Sequence, residues 1–586
     1  MSVLKIKTRQ AFNLILPYFK AEKITVFTGL ACLIIVDLLL LCIPRIIKRA
    51  VDDLTLYTID ATGLLIYSSY ILGIGILIGI FRYLWRRCLL GMARLVEEKL
   101  RNRLFHHLQT LSPAYFDQIK TGDLMAHATN DILQIRMACG MGMVALNDAI
   151  VLGTAAIGFM IYIDLKLTLM VLIPMPLIGL GSRFFFRQMH KRYQAIQKSF
   201  SDLTEAVRER FAGIRIIKAY NMAEFQNAGL EKISKNYINK NLKLARVIGI
   251  FFPMMLLLTN LSLAIVLIIG GRQTIFTTIT PGDFVAFINY LGLLAWPMMA
   301  FGWVANLIQR GRASLERLDK ILQTRPIIKN SPRAVFFQPV KSHIKIEKLG
   351  FAYKAGQNEV LKNIALEIQA GQTLGIIGPP GAGKTTLLNL IPRLYEAGKG
   401  SILINGSDIR KFEITSLRAN ISFMPQEPFL FNGTIEENIS FKNPAVSKKN
   451  LIKAAQDACF YNTIKTFPKG SKTLVGEKGI ILSGGQKQRI ILARALLKKA
   501  PVLLLDDPVS QVDTVTGNAI INIIKKRAEL QTIIIVSHRL AAIRFANQII
   551  VLDQGIITET GSHDELLKFN GYYKEAYHLQ EIADAI

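Results

Sequence analysis

The sequence predicts two joined architectures: a membrane α-helical bundle of six spans with extended cytoplasmic helices, and a soluble α/β domain that follows it. Three observations carry that expectation. Six apolar stretches of spanning length lie before about residue 305 and none lies after it. A linker containing Pro326, Pro332 and Pro339 then marks a change of pattern. Beyond it, short apolar strands alternate with helical segments, and one strand–loop–helix unit holds Gly378-Pro379-Pro380-Gly381-Ala382-Gly383-Lys384-Thr385. The expected division is 1–318 for the membrane half, 319–343 for the linker and 344–586 for the soluble half.

Bulk properties agree with this division. A chain of 586 residues is too long for one core. Its mean hydropathy of +0.33 is high for a soluble protein. The formal net charge of +29 is explained by basic cytoplasmic loops and anionic lipid. No aromatic-and-basic recognition motif accompanies that charge, so no nucleic-acid partner is expected. Five scattered cysteines without a C-x-x-C pair argue against a zinc site or a disulfide framework. Lys5, Lys7, Arg9, Lys20 and Lys23 precede the first apolar run, which is too long for a signal-peptide core and is expected to stay in the membrane.

The spans fall at roughly 24–44, 64–85, 141–163, 167–186, 247–270 and 283–305. Residues 86–140 and 187–246 are long, basic and helix-patterned, so they belong inside the cell; the short links near 164–166 and 271–282 belong outside. The N-terminus and the segment after the sixth span are then cytoplasmic. Arg45, Lys48 and Arg49 offend the charge rule on the first outer loop, with Asp52, Asp53 and Asp60 partly balancing them. No breaker follows spans two and four, so both are expected to continue as rods beyond the bilayer. Each inner connection has a reversal, Ser112–Phe116 to Asp123 and Gly213 to Asn221, suited to plug into a cytoplasmic partner. Gly75 and Gly79 suggest a close helix-packing face. Asp37 and Asp148 read either as functional ionisable groups or as interior glue paired with Arg82, Arg86 or another polar group. Asn260, Asn289, Trp296 and Trp303 read equally as cavity lining or as packing and interfacial anchors.

In the soluble half the octapeptide fits G-x-x-x-x-G-K-[ST]. Apolar Thr373–Ile377 precedes it, and Thr386 onward reads as a helix. Glycines let backbone N–H groups close on phosphate oxygens, and a helix N-terminus adds its positive dipole end. Lys384 is placed to reach the β- and γ-phosphates and the Thr385 hydroxyl to ligate Mg²⁺, so ATP and Mg²⁺ are the expected cofactors. Upstream, Tyr353 is an aromatic able to stack on adenine. Downstream, Gln426 follows a strand-like segment and suits a sensor of Mg²⁺ and the attacking water. Leu503-Leu504-Leu505-Asp506-Asp507 is an apolar strand ending in carboxylates, with Asp506 placed to hold Mg²⁺ through water. Ile533–Ser537 is a further buried strand, and it delivers His538 behind the phosphate loop.

This ordered set, with Thr473–Gly479 and Leu482-Ser483-Gly484-Gly485-Gln486 between, resembles the ATP-binding cassette (ABC) superfamily over nearly the whole chain. Specifically it resembles exporter-type half-transporters. Arg82–Arg86, Thr121–Met125 and Ala128–Asp131 are similar to the bacterial multidrug-resistance-like MdlA branch. The resemblance implies an α/β P-loop ABC ATPase domain and a dimer with two ATP molecules between phosphate loops and opposing signature motifs. It implies trans contacts from Ser483, Gly484, Gly485 and Gln486, a D-loop at Ser510–Asp513, coupling helices at the two reversals, and a γ-phosphate contact for His538. It also implies that Asp507 stands where the family usually has glutamate, the group that polarises water. Aspartate is one methylene shorter, and misplacement on the order of 1 Å can cost about 10²-fold in rate; Pro508 stiffens the backbone after it.

Two assemblies follow from that departure: a slow homodimer, or, favoured, a heterodimer with a second half-transporter that supplies the better hydrolytic residues. The expected activity is ATP-driven export of small amphipathic or lipophilic compounds, drugs or lipids, across the cytoplasmic (inner) membrane by alternating access, with membrane lipid around the spans. An ATP-gated or regulatory membrane protein and a peptide exporter are the alternatives.

Overall fold

The computed structural model describes residues 12–354, 356, 358–476 and 482–585. Lys5, Lys7 and Arg9, and the Glu477–Gly479 part of the exporter-like segment, lie outside the described residues. The described chain forms two compact units, one comprising 12–109 with Thr121–Thr324 and the other Thr110–Lys120 with 325–585.

The first unit is all helix. Helix α1 (Lys23–Thr55) buries Gly29, Leu33, Val36, Asp37, Leu41 and Pro44, a stripe at three- and four-residue spacing. Asp60 caps α2 (Ala61–Thr110), its carboxylate accepting from Gly63 N at 2.9 Å. The apolar and charged parts of α2 are continuous through a wider turn at Arg86–Leu90. Its 50 residues extend about 75 Å at 1.5 Å each, more than twice a ~30 Å hydrocarbon core, as the missing breaker implies. Next come α3 (Thr121–Ile163), α4 (Leu165–Leu172), α5 (Pro174–Ala212), α6 (Ala223–Ile275) and α7 (Pro281–Leu322). Asp164 is the extended residue between α3 and α4, its carboxylate accepting from Leu167 N. Thr280 and Asp283 close a capping box at the start of α7. The second reversal is a short helix, Ile214–Ala219, ending at Asn221 with φ of 53°.

Among the described residues α1, α2, α3 and α6 are long and apolar enough to cross a membrane. Stretches 167–186 and 283–305 lie on α4–α5 and α7; within α7, Pro281–Leu294 is an apolar segment shorter than a full span. Helix α5 packs along α6, and α7 packs on α1 and α3.

Packing bears on several sequence readings, and it fits the interior-glue reading of Asp37. Gly75 and Gly79 are not a packing face within this chain: no atom lies within 4 Å of where their Cβ atoms would be, because the buried side of this helix runs through Ile78 and Trp85. Two of the misplaced basic residues, Lys48 and Arg45, find partners within the protein. Lys48 pairs with Asp283 at 2.5 Å, and the Arg45 guanidinium lies 5.6 Å and 5.2 Å from the Phe159 and Tyr162 ring centres. Asp37, 2% exposed, finds its partner on another helix, accepting from Asn147 Nδ2 at 3.0 Å. Asn289 donates to Val285 O on its own helix, and Trp296 is exposed.

The second unit is α/β. Strands β1 (Ile344–Phe351), β2 (Leu361–Ile368), β4 (Ile402–Ile404) and β5 (Ser407–Asp408) form an antiparallel sheet in the order β2-β1-β4-β5. A larger sheet has the order β12-β11-β3-β10-β9-β6. Its members are β3 (Thr373–Ile377), β6 (Ile421–Met424), β9 (Val502–Asp506), β10 (Thr532–Val536), β11 (Gln548–Asp553) and β12 (Ile556–Gly561). Two-residue strands β7 (Gly433–Thr434) and β8 (Leu474–Val475) pair apart from both. The run Val502–Leu505 is unbroken in hydrophobicity because both faces of its strand are covered. Leu503 and Leu505 enter one core with Ile533 and Ile535; Val502 and Leu504 enter the other with Ile534 and Val536.

Candidate nucleotide site

Strands β6, β9, β10, β3 and β11 are parallel neighbours, so their carboxyl ends share one edge of the sheet. In an open parallel sheet that edge is where ligands bind. Register sets Val536 opposite both Asp506 and Ile376, and Met424 opposite Leu505. The residues directly beyond these strand ends are Gly378, Asp507, Ser537 and Pro425, with Gln426 one further on, which explains how distant stretches of sequence meet.

The phosphate loop runs from β3 into helix α8 (Lys384–Leu390). Gly378, Gly381 and Gly383 have φ of 152°, 81° and 101°. A Cβ on Gly378 would meet Leu552 O at 1.9 Å, so only glycine fits there. Lys384 is buried, and its Nζ donates to the Gly378 and Pro379 carbonyls, both at 2.8 Å. Burial pulls its pKa down, against the opposing pull of the Asp506 and Asp507 carboxylates.

Thr385 Oγ1 donates to Asp506 Oδ2 at 2.7 Å, joining the loop to the end of β9. Asp506 is 1% exposed, and burial pushes its carboxyl up to about 6 although the Thr385 hydrogen bond pulls the other way. A hydroxyl and a carboxylate at this separation form a hard, all-oxygen pair of the kind Mg²⁺ takes. Tyr353 lies beside the loop: its hydroxyl and Thr386 Oγ1 are 2.8 Å apart, and its ring packs edge-on against Phe351 and Tyr395 at 5.1 Å each.

Asp507 has φ of 55°, a left-handed conformation unfavourable for a side chain with a Cβ. Four bonds hold it there, one of them from Ser510 Oγ to its carbonyl at 3.3 Å. Its N–H donates to Val536 O at 2.8 Å, its carbonyl accepts from Gln488 Nε2 at 2.6 Å, and its Oδ1 accepts from Ser537 Oγ at 3.3 Å. Gln426 and His538 are exposed beyond the ends of β6 and β10.

The signature starts helix α9 (Gly484–Leu497). Ser483 caps it in a reciprocal box with Gln486, leaving Ser483 and Gly484 open to solvent at a helix N-terminus. A Cβ on Gly485 would lie 2.4 Å from Gln511 O. Among the described residues no hydrogen bond joins Ser483–Gln486 to Gly378–Thr386. Asp513 caps helix α10 (Thr514–Arg527), accepting from Thr516 N at 2.9 Å.

Sequence reasoning gave no role to Gln488, which is 2% exposed. It bonds Asp507 O and Ser510 Oγ, and accepts from Gln511 N. Its position in the run after the signature was the available signal. Ser537 was seen only as the last residue of a strand, since its contact with Asp507 spans 30 positions.

A helical membrane unit and an α/β unit with a phosphate loop on its sheet edge define a membrane-embedded nucleotide-driven protein. Residues 26–298 match the ABC transporter transmembrane region, and residues 361–510 match the ABC transporter family. The chain is 36% identical to the multidrug resistance-like ATP-binding protein MdlA of Buchnera aphidicola subsp. Schizaphis graminum, covering 98% of this chain and 99% of the relative. It is 34% identical to a probable multidrug resistance ABC transporter ATP-binding/permease protein, YheI, of Bacillus subtilis, covering 97% of each. It is 33% identical to an ATP-dependent lipid A-core flippase of Syntrophus aciditrophicus, over 95% of this chain and 92% of that one. A solved bacterial Atm1-family ABC exporter with ATP bound superposes with a TM-score of 0.75 at 26% identity, covering 97% and 98% of the two chains.

The chain belongs to the ATP-binding cassette transporter family. It is an exporter-type half-transporter, a nucleotide-binding ATPase coupled to transmembrane transport.

Proposed function

We propose that this half-transporter exports small amphipathic or lipophilic compounds, drugs or lipids, from the cytoplasmic membrane, and that its own ATP site hydrolyses slowly. Its membrane half (1–318) would contribute six spans and its ATPase half (344–586) would lie in the cytoplasm, joined by 319–343. ATP would lie over Gly378–Thr386 with Tyr353 against the adenine. Thr385, Asp506 and Gln426 would hold Mg²⁺, which would screen the phosphate charge. Lys384 would leave the loop carbonyls for the β- and γ-phosphates, His538 would meet the γ-phosphate, and Asp507 would orient water. Ser483–Gln486 would face the phosphate loop of a second half-transporter, with Asp513 in the adjoining D-loop, and closure on ATP would drive alternating access.

The observation that carries the slow-site reading is Asp507. Its shorter carboxylate is turned onto Ser537 and its main chain is fastened by Gln488, so little freedom is left to make up the missing methylene. A heterodimer is favoured on that ground. Exposed apolar side chains around the second reversal, Phe211, Ile216 and Tyr220, support docking on a partner. The relatives' names support drugs or lipids as cargo.

Asp507→Glu in the purified chain without a partner tests the site: turnover should rise on the order of tenfold or more. Negligible activity in a stable homodimer would reject side-chain length as the limit. Co-purification with a second half-transporter tests the pairing, and ATPase stimulation across a compound panel tests the cargo.

A further inference from the structure

The turn after β10 carries His538, and its main chain is held from an element outside the proposed ATP site. Helix α11 (Tyr572–Ala585) is the last helix of the chain. Gln580, on that helix, accepts through Oε1 from Leu540 N at 2.9 Å and donates through Nε2 to His538 O at 2.7 Å. These are the two backbone groups on either side of Arg539. A primary amide offers one acceptor and one donor on a single plane, so it matches both, which neither a carboxylate nor an ammonium group does.

The same turn is fastened on two further sides. Arg539 N donates to Ser537 Oγ at 3.0 Å, and Arg539 Nη1 donates to Val512 O at 3.1 Å. Ser537 Oγ in turn donates to Asp507 Oδ1. A continuous hydrogen-bonded path therefore runs from α11 through the His538 turn to Asp507. Helix α11 is itself anchored at its start. Tyr573 is fully buried with its hydroxyl 2.7 Å from His563 Nδ1, and the Glu559 carboxylate accepts from Tyr572 N and Tyr573 N. Arg539, Leu540 and Gln580 border a cavity of about 390 Å³, with Arg544 and Tyr577 also on its wall. Leu540 and Ala542 of the turn are buried in the core, so the Gln580 bonds act on a main chain that is also packed.

We propose that Gln580 is a positioning residue for ATP hydrolysis, clamping the main chain on both sides of Arg539 so that the His538 imidazole is held for the γ-phosphate. This rests on the assignment of His538 and Asp507 made above.

The test uses the full-length chain in lipid nanodiscs in the Asp507→Glu background, where turnover is readable. Gln580→Ala removes both bonds; Gln580→Glu keeps the acceptor for Leu540 N and loses the donor to His538 O. Steady-state ATPase and amide hydrogen exchange are measured on each, with His538→Ala alongside. Gln580→Ala should lower kcat about tenfold with KM within about twofold, and Gln580→Glu should fall between it and the parent. Exchange should rise in 538–542 and stay unchanged in the phosphate loop.

Unchanged kcat in Gln580→Ala, or faster exchange throughout the domain, overturns the proposal. Loss of turnover in His538→Ala together with normal Gln580→Ala rejects the clamp alone. Normal turnover in His538→Ala, or no turnover in the background itself, rejects the parent assignment and the clamp with it.

Discussion

The Tyr395 phenol donates to Asp117 Oδ2 at 2.8 Å, and its ring stands edge-on to Tyr353. Asp117 comes from the first reversal, between α2 and α3, yet Thr110–Lys120 folds as part of the α/β unit. Burial, with the Asp117 carboxylate adding, pushes the phenol's pKa up, so it remains a donor at neutral pH. The path Asp117–Tyr395–Tyr353–Thr386 ends on the phosphate-loop helix.

Tyr395→Phe keeps the ring and removes only the bond to Asp117. Loss of one such bond is worth about 1 kcal/mol. Ligand-stimulated ATPase should drop several-fold while the affinity for a fluorescent ATP analogue stays within about twofold. An unaltered stimulation ratio would show that this bond transmits nothing.

Asp507→Asn separates a slow site from a dead one. The side chain keeps its size and its φ of 55°, so ATP binding and thermal stability should persist. Residual turnover should fall at least about tenfold if the carboxylate orients water. Single-turnover hydrolysis with enzyme in excess gives the rate; identical rates for Asp507 and Asn would mean the group takes no part.

Gly485→Ala should be severe. Its Cβ would sit 2.4 Å from Gln511 O, and backbone cannot yield as a side-chain tip does. About 1–3 kcal/mol of destabilisation is expected, with a turn of α9 displaced from the partner ATP site that it is proposed to face. Thermal unfolding and ATPase of the assembled dimer should both fall; a wild-type profile in both would contradict the close approach.

Asn147→Leu tests the interhelical bond to Asp37. It leaves a buried carboxylate without its donor, which costs about 1–3 kcal/mol. Adding Asp37→Leu should recover much of that loss, because both polar partners are then gone. Melting temperature in detergent distinguishes the single from the double variant, and equal temperatures would place the bond outside the stability of the membrane unit.

Much of the site was legible because its residues are consecutive or end recognisable strands. The glycine spacing around Lys384, the Val502–Asp507 run and the Ile533–His538 run each carry a local signature of backbone geometry or two-sided burial. Helix continuity from Ala61 to Thr110 was legible too, since it depends on the absence of breakers. Packing partners were not. Gly75 and Gly79 have the spacing of a close contact, but spacing does not say which side of a helix meets a neighbour. Arg45 and Lys48 looked misplaced only because Phe159, Tyr162 and Asp283 are far away in the chain.

By itself the sequence determined the two-part architecture, the phosphate-binding loop, the carboxylates at the end of β9 and the unusual aspartate at position 507. These follow from hydrophobic period, from glycine's access to positive φ and from side-chain length, all properties of neighbouring residues. Only the tertiary structure decided where Asp507 points and what holds it. Ser537, Gln488 and, through the His538 turn, Gln580 reach it from three separate elements. Hydrogen bonds of that kind depend on the register of a parallel sheet and the docking of a terminal helix, which no local pattern encodes.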